Sequence, residues 1–97
     1  MLGKIDGNAR ERIERAGGEF TLEARAKTGC MIRIQLDPRL GRPEEPGAFE
    51  VVSVGQLRGY VRGLFERPDG TLRPTKGVLP KRVRIRERDG SLVAETG

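Results

Sequence analysis

A small single α+β domain, mainly antiparallel β hairpins with one or two short helices, is the fold this sequence predicts, and three observations predict it. Residues 19–26 and 30–36 alternate polar and apolar side chains. An Asp89-Gly90 pair divides residues 81–88 from a second alternating run. Fourteen glycines and 6 prolines punctuate a chain of 97 residues. Alternation at period two marks half-buried strands, Asp-Gly between such runs is a tight hairpin turn, and frequent Gly and Pro favour short elements.

Taken in order, residues 1–18 read as a short N-terminal helix or tail. Asn8 and Glu11 have capping-box spacing, Glu11 stands four residues before Arg15, and Gly17-Gly18 supplies a stop. Phe20, Leu22, Ala24 and Ala26 then face inward on a strand that turns at Lys27-Thr28-Gly29. The return strand points Cys30, Ile32, Ile34 and Leu36 inward, so Cys30 reads as a small buried hydrophobe. Residues 37–47 hold three prolines and two glycines and read as a surface loop, or an arm that lies on a neighbouring subunit.

Residues 54–66 are expected to be helical. Ser53 and Gln56 form a second capping box, Val52 and Leu57 a hydrophobic staple, and Val54, Leu57, Val61, Leu64 and Phe65 recur at helical spacing before Pro68. The competing reading is a strand over residues 59–66 that feeds a Pro68-Asp69-Gly70 hairpin, since Gly55, Gly59 and Gly63 each cost about 1 kcal/mol in a helix. As a helix, the three glycines would form a flat stripe for close approach of another element.

The last hairpin carries the clearest charge pattern. On a strand, Val83 and Ile85 face one way while Arg82, Arg84, Arg86 and Arg88 face the other, roughly 6.6 Å apart. A two-residue turn at Asp89-Gly90 sets Ile85 opposite Ala94 and Arg84 opposite Glu95, which ties up one arginine.

Composition narrows the function. The chain is 35% hydrophobic and 34% charged with net charge +5, so polyanions or an acidic protein surface are the expected partners. Without histidine, and with Cys30 alone, histidine-dependent triads, zinc sites and an internal disulfide are excluded. Glu44 and Glu45 are neighbours in a proline-rich loop and point apart, and Lys76 lacks phosphate-loop spacing. No enzyme and no cofactor is expected. The N-terminus lacks a signal-peptide core and no run approaches a membrane span, so a cytoplasmic protein, or one within a virion or other assembly, is expected.

Two short stretches carry resemblances. Residues 69–78 resemble the hairpin of the positive-cofactor-type single-strand-binding transcription coactivators, whose terminal amphipathic helix is absent here. Residues 61–68 look like a stretch of phage head–tail joining proteins. Both resemblances imply a strand over residues 59–66, and no site residue is carried across from either.

The leading expectation is a non-catalytic module that contacts nucleic-acid backbone through Arg82, Arg84, Arg86 and Arg88 with Arg58, Arg62 and Lys76. So few aromatic residues weigh against a base-stacking platform for single strands. The alternative is a structural or assembly protein, such as a phage virion or head–tail accessory component, that forms oligomers through Pro38, Leu40, Pro43, Pro46, Gly59 and Gly63. A third is an inhibitor whose arginines dock on an acidic protein.

Overall fold

The computed structural model describes residues 2–27, 33–74 and 83–96. Among these residues, eight strands and one α-helix follow in the order β1 (Leu2–Ile5), α1 (Gly7–Arg15), β2 (Glu19–Lys27), β3 (Arg33–Leu40), β4 (Glu50–Val54), β5 (Leu57–Glu66), β6 (Leu72–Pro74), β7 (Val83–Arg88) and β8 (Ser91–Thr96), with a 3-10 turn at Pro46–Ala48. A small sheet runs β1-β7-β8, and a large sheet runs β3-β2-β5-β4 with β6 also beside β5. The fold is α+β. Hairpins supply most of the pairing, but β1 with β7 and β2 with β5 run parallel.

The core lies between the sheets. Phe20, Leu22 and Val61 from the large sheet meet Val83, Ile85 and Leu92 from the small one. Ala9 and Ile13, both fully buried, bring α1 against them. With only two core residues the helix depends on this docking rather than on its own propensity. It ends as its glycines predict: Gly18 donates its N–H to Ile13 C=O and Gly17 donates to Glu14 C=O, closing the last carbonyls. The Glu11 and Arg15 ion pair forms as spaced.

The terminal hairpin matches its expected register. Asp89 and Gly90 take positive φ (52° and 83°), Ile85 faces Ala94 and Arg84 faces Glu95. The β2–β3 hairpin also forms, through eight paired residues, although its turn with Cys30 and Ile32 lies outside the described residues. Ile34, expected inward, is 44% exposed, because the core reaches Leu36 but stops short of that end of β3.

Four expectations need correction. Residues 2–5, taken as helix or tail, are strand β1 laid parallel to β7. The helix starts one residue before Asn8, and its N-cap is Asp6, whose carboxylate binds an arginine instead of the helix amides. Asp37, Pro38, Arg39 and Leu40 belong to β3, so the irregular loop begins only at Gly41. Pro38 is tolerated there because β3 is bonded along one side only.

The largest correction is the predicted helix over residues 54–66, which is a hairpin of β4 and β5 turning at Gly55-Gln56. Gly55 has φ 62° at the first turn position, the arrangement that suits a type II′ hairpin. β5 is central and buried on both faces, with Leu57 and Val61 toward the core and Tyr60 and Leu64 on the opposite side. Apolar residues on both faces of a strand break strict alternation, and here they fell by chance at helical intervals. Gly59 and Gly63 are therefore buried strand residues, not an open stripe.

Candidate nucleic-acid interface

β7 is the middle strand of the small sheet, so its inward residues, Val83 and Ile85, are locked in the core. The period-two pleat then forces Arg84, Arg86 and Arg88 onto the outer face, where all three are exposed. Parallel pairing places the exposed Lys4 of β1 beside Arg84. Sequence reasoning missed Lys4, because a four-residue strand containing a glycine carries almost no periodic signal. Ser91, Val93 and Glu95 of β8 complete the face, opposite Arg88, Arg86 and Arg84.

Two carboxylates sit among these cations. Arg84 donates Nε and Nη2 to Asp6 at 2.9 and 3.1 Å, a two-pronged pair. The Arg84 hydrogen bond holds the Asp6 carboxyl below its ordinary value of 3.8, with the charges of Arg84, Lys4 and Arg86 adding to it. Arg86 donates Nη1 to Glu95 at 3.1 Å, and its Nε stands 3.8 Å from Asp6. Glu95 thus serves the diagonal neighbour rather than Arg84 directly across the ladder. Arg88 has no ion pair among the described residues. Among the described residues of this face, four cations against two carboxylates leave a surplus of two positive charges. Arg82 and Lys76 lie outside the described residues.

Arg58 and Arg62, expected on the same face, are not there. They point outward from β5 on the large sheet, across the core from the arginine row. Arg62 is bound into its own surface: Nη2 lies 2.8 Å from the buried Glu23, and its guanidinium stacks 4.3 Å from the Phe49 ring.

Around it is a cleft of ≈ 390 Å³ lined by Thr21, Glu23, Arg39, Arg42, Phe49 and Arg62, among others. Arg42 reaches Glu19, which also accepts the Tyr60 hydroxyl at 2.6 Å; that hydroxyl is the main reason the Glu19 carboxyl sits below its ordinary 4.5. Thr21 Oγ1 donates to Gly41 C=O at 2.9 Å. These contacts fold the residue 41–49 loop back onto its own sheet.

Of the residues expected at a subunit interface, Leu40 and Pro43 both line this cleft and the others lie elsewhere. Pro38 faces Leu22 across a ladder, Leu40 is partly exposed at the end of β3, Pro43 lines the cleft, Pro46 opens the 3-10 turn, and Gly59 and Gly63 are buried.

Glu23 is the keystone of the cleft. Replacing it with alanine strands the Arg62 guanidinium and removes the 3.7 Å contact with Arg39. The expected loss is about 2 kcal/mol, less than for a fully enclosed pair because Arg62 is 26% exposed. Chemical denaturation of Glu23→Ala measures it, with Glu23→Gln expected to recover part of the loss by keeping an acceptor.

Among the described residues no cluster of three or more Cys, Asp or Glu is placed to hold a metal. Among the same residues no helix is long and apolar enough to cross a membrane. Comparison with protein-family models finds no match, and neither curated proteins nor solved structures yield one.

Proposed function

We propose that the outer face of the small sheet binds the phosphate backbone of a nucleic acid without catalysis. The observation that carries this reading is the exposed row of Arg84, Arg86 and Arg88, flanked by Lys4, on a strand whose other face is locked in the core. From Arg84 to Arg88 the row spans roughly 13 Å, or about four steps along a duplex strand at ~3.4 Å each. The described residues of this face include no aromatic side chain, so the contacts are to backbone phosphate and are tolerant of sequence.

The carboxylates within the row shape this activity. Exposed ion pairs of this kind contribute only about 0–1 kcal/mol, so a phosphate displaces them at little cost. While unbound, Asp6 and Glu95 hold Arg84 and Arg86 extended over the sheet, which lowers the entropy lost on binding. The reading places the protein where nucleic acid is, in the cytoplasm or in a virion or similar assembly.

Asp6 and Glu95 supply the test. An Asp6→Asn, Glu95→Gln double variant removes the two competitors and leaves every described cation of the face in place. Fluorescence anisotropy with a mixed-sequence duplex is expected to show several-fold tighter binding at the same salt. Unchanged affinity, or no binding by either protein at about 50 mM salt, contradicts the reading.

A further inference from the structure

We propose that the domain self-associates through β4, paired antiparallel with β4 of a second copy about a two-fold axis at Val52. β4 bonds to β5 along one side only, and no described strand occupies its other side. Proteins normally guard such an edge with lysine, proline, inward charge or brevity. The other described edges are guarded. β1 carries Lys4, β3 carries Pro38 with Arg33, Asp37 and Arg39, and β6 has three residues, of which two are Arg73 and Pro74. β8 is covered because it comes alongside β3. β4 reads Glu-Val-Val-Ser-Val, with neither cation nor proline, and Val51 is 53% exposed.

Charge complementarity makes a second copy the occupant. With Val52 on the axis, Glu50 falls opposite the partner's Val54, one residue from the partner's Gly55. Over Gly55 lies the Arg10 guanidinium, its Nη1 3.1 Å from where a Cβ would stand. Alternation puts Glu50 on the same face of β4 as Val52, whose Cγ2 points toward Phe20 and the core, and α1 packs on that face. Glu50 and the partner's Arg10 therefore meet on one side of the joined sheet, and symmetry makes the contact twice. Neither residue has an ion pair among the described residues.

A two-fold axis relating antiparallel strands of one sheet is perpendicular to that sheet. Both small sheets then lie on the same side, and both arginine rows point the same way, which would double the polyanion footprint. Self-association itself does not rest on the nucleic-acid reading. A five-residue edge buries less than the roughly 1,200 Å² of a stable complex, so the dimer is weak and concentration-dependent.

Sedimentation equilibrium of the full chain without nucleic acid, from micromolar to millimolar protein at about 50 mM salt, tests the proposal. The expected result is a monomer–dimer equilibrium. Glu50→Arg or Arg10→Glu alone weakens it about tenfold, the two together restore it, and Val51→Lys abolishes it. A strict monomer at every concentration overturns the proposal, as does a dimer indifferent to these changes or a double variant that fails to recover. Should Arg10→Glu unfold the helix, Glu50→Arg and Val51→Lys still decide the matter, since both positions are exposed on the strand.

Discussion

A Gly59→Val variant is expected to lose about 3 kcal/mol of stability or more, dropping the thermal midpoint by about 12–24 °C in a domain of this size. Gly59 sits on β5 directly across the ladder from Phe20 on β2 and from Val52 on β4. A Cβ added there would stand 2.5 and 2.9 Å from two atoms of the Phe20 ring and 3.0 Å from Val52 Cγ2. Phe20 is fully buried at the centre of the core, so its ring has nowhere to swing. β5 is held by β2 on one side and β4 on the other, so the backbone has no room to back away either. Strain therefore stays in the native state instead of relaxing through a side-chain rotation. Gly47→Ala is the matching control. Its added Cβ meets nothing within 4 Å, and its effect is expected to stay within about 0.5 kcal/mol. Thermal or urea denaturation of the two variants side by side decides the point.

The second large effect concerns binding. Replacing Arg84, Arg86 and Arg88 together with alanine is expected to flatten the salt dependence of nucleic-acid binding. Four cations contacting phosphate give log K a slope of about −3.6 against log salt, a loss of about a hundredfold between 50 and 200 mM. With Lys4 alone remaining on the described face, the slope falls to about −0.9 and the loss to about fourfold. Core packing is untouched, because the three side chains point away from Val83 and Ile85. The ion pairs removed with them are exposed, so the fold is expected to survive. An Arg58→Ala, Arg62→Ala variant separates charge from location. It removes two cations from the opposite side of the molecule and is expected to leave the slope nearly unchanged. A slope that responds to total charge alone, regardless of which arginines are lost, argues against a defined face.

The parts of this fold legible in the sequence are those dictated by short-range rules. Asp89-Gly90 specifies both the turn and the register, so the pairing of Ile85 with Ala94 follows from local chemistry. The alternation of Phe20, Leu22, Ala24 and Ala26 likewise names the core face of β2 directly. Long-range parallel pairing has no such local signature. β1 is too short to show alternation, and only its partner β7, some eighty residues later, makes it a strand. For the same reason Asp6 could not be foreseen as the acid for Arg84. The Glu95 expectation had the ladder position right, but a nearer carboxylate captured the guanidinium and left Glu95 to Arg86.

β5 shows how a pattern can mislead. A strand buried on both faces shows apolar residues wherever its two neighbours happen to need them, and a helical period can arise by coincidence. The glycines were the better guide. Their cost in a helix was a real warning, and Gly59 is glycine because Phe20 occupies the space a side chain would need. The Pro-rich stretch misled differently. Three prolines and two glycines rule out a regular element in general, yet an edge strand needs N–H groups on one side only, so β3 runs through Pro38 and ends at Leu40.

The most direct test of the arginine face is to watch its guanidinium groups as nucleic acid is added. An NMR titration with a short mixed-sequence duplex at about 50 mM salt follows the arginine Nε–H resonances one residue at a time. The expected result is that Arg84, Arg86 and Arg88 shift together and saturate, with the Lys4 amide moving alongside, while Arg58 and Arg62 stay still. Shifts confined to Arg58 and Arg62, or none at any arginine, would contradict it.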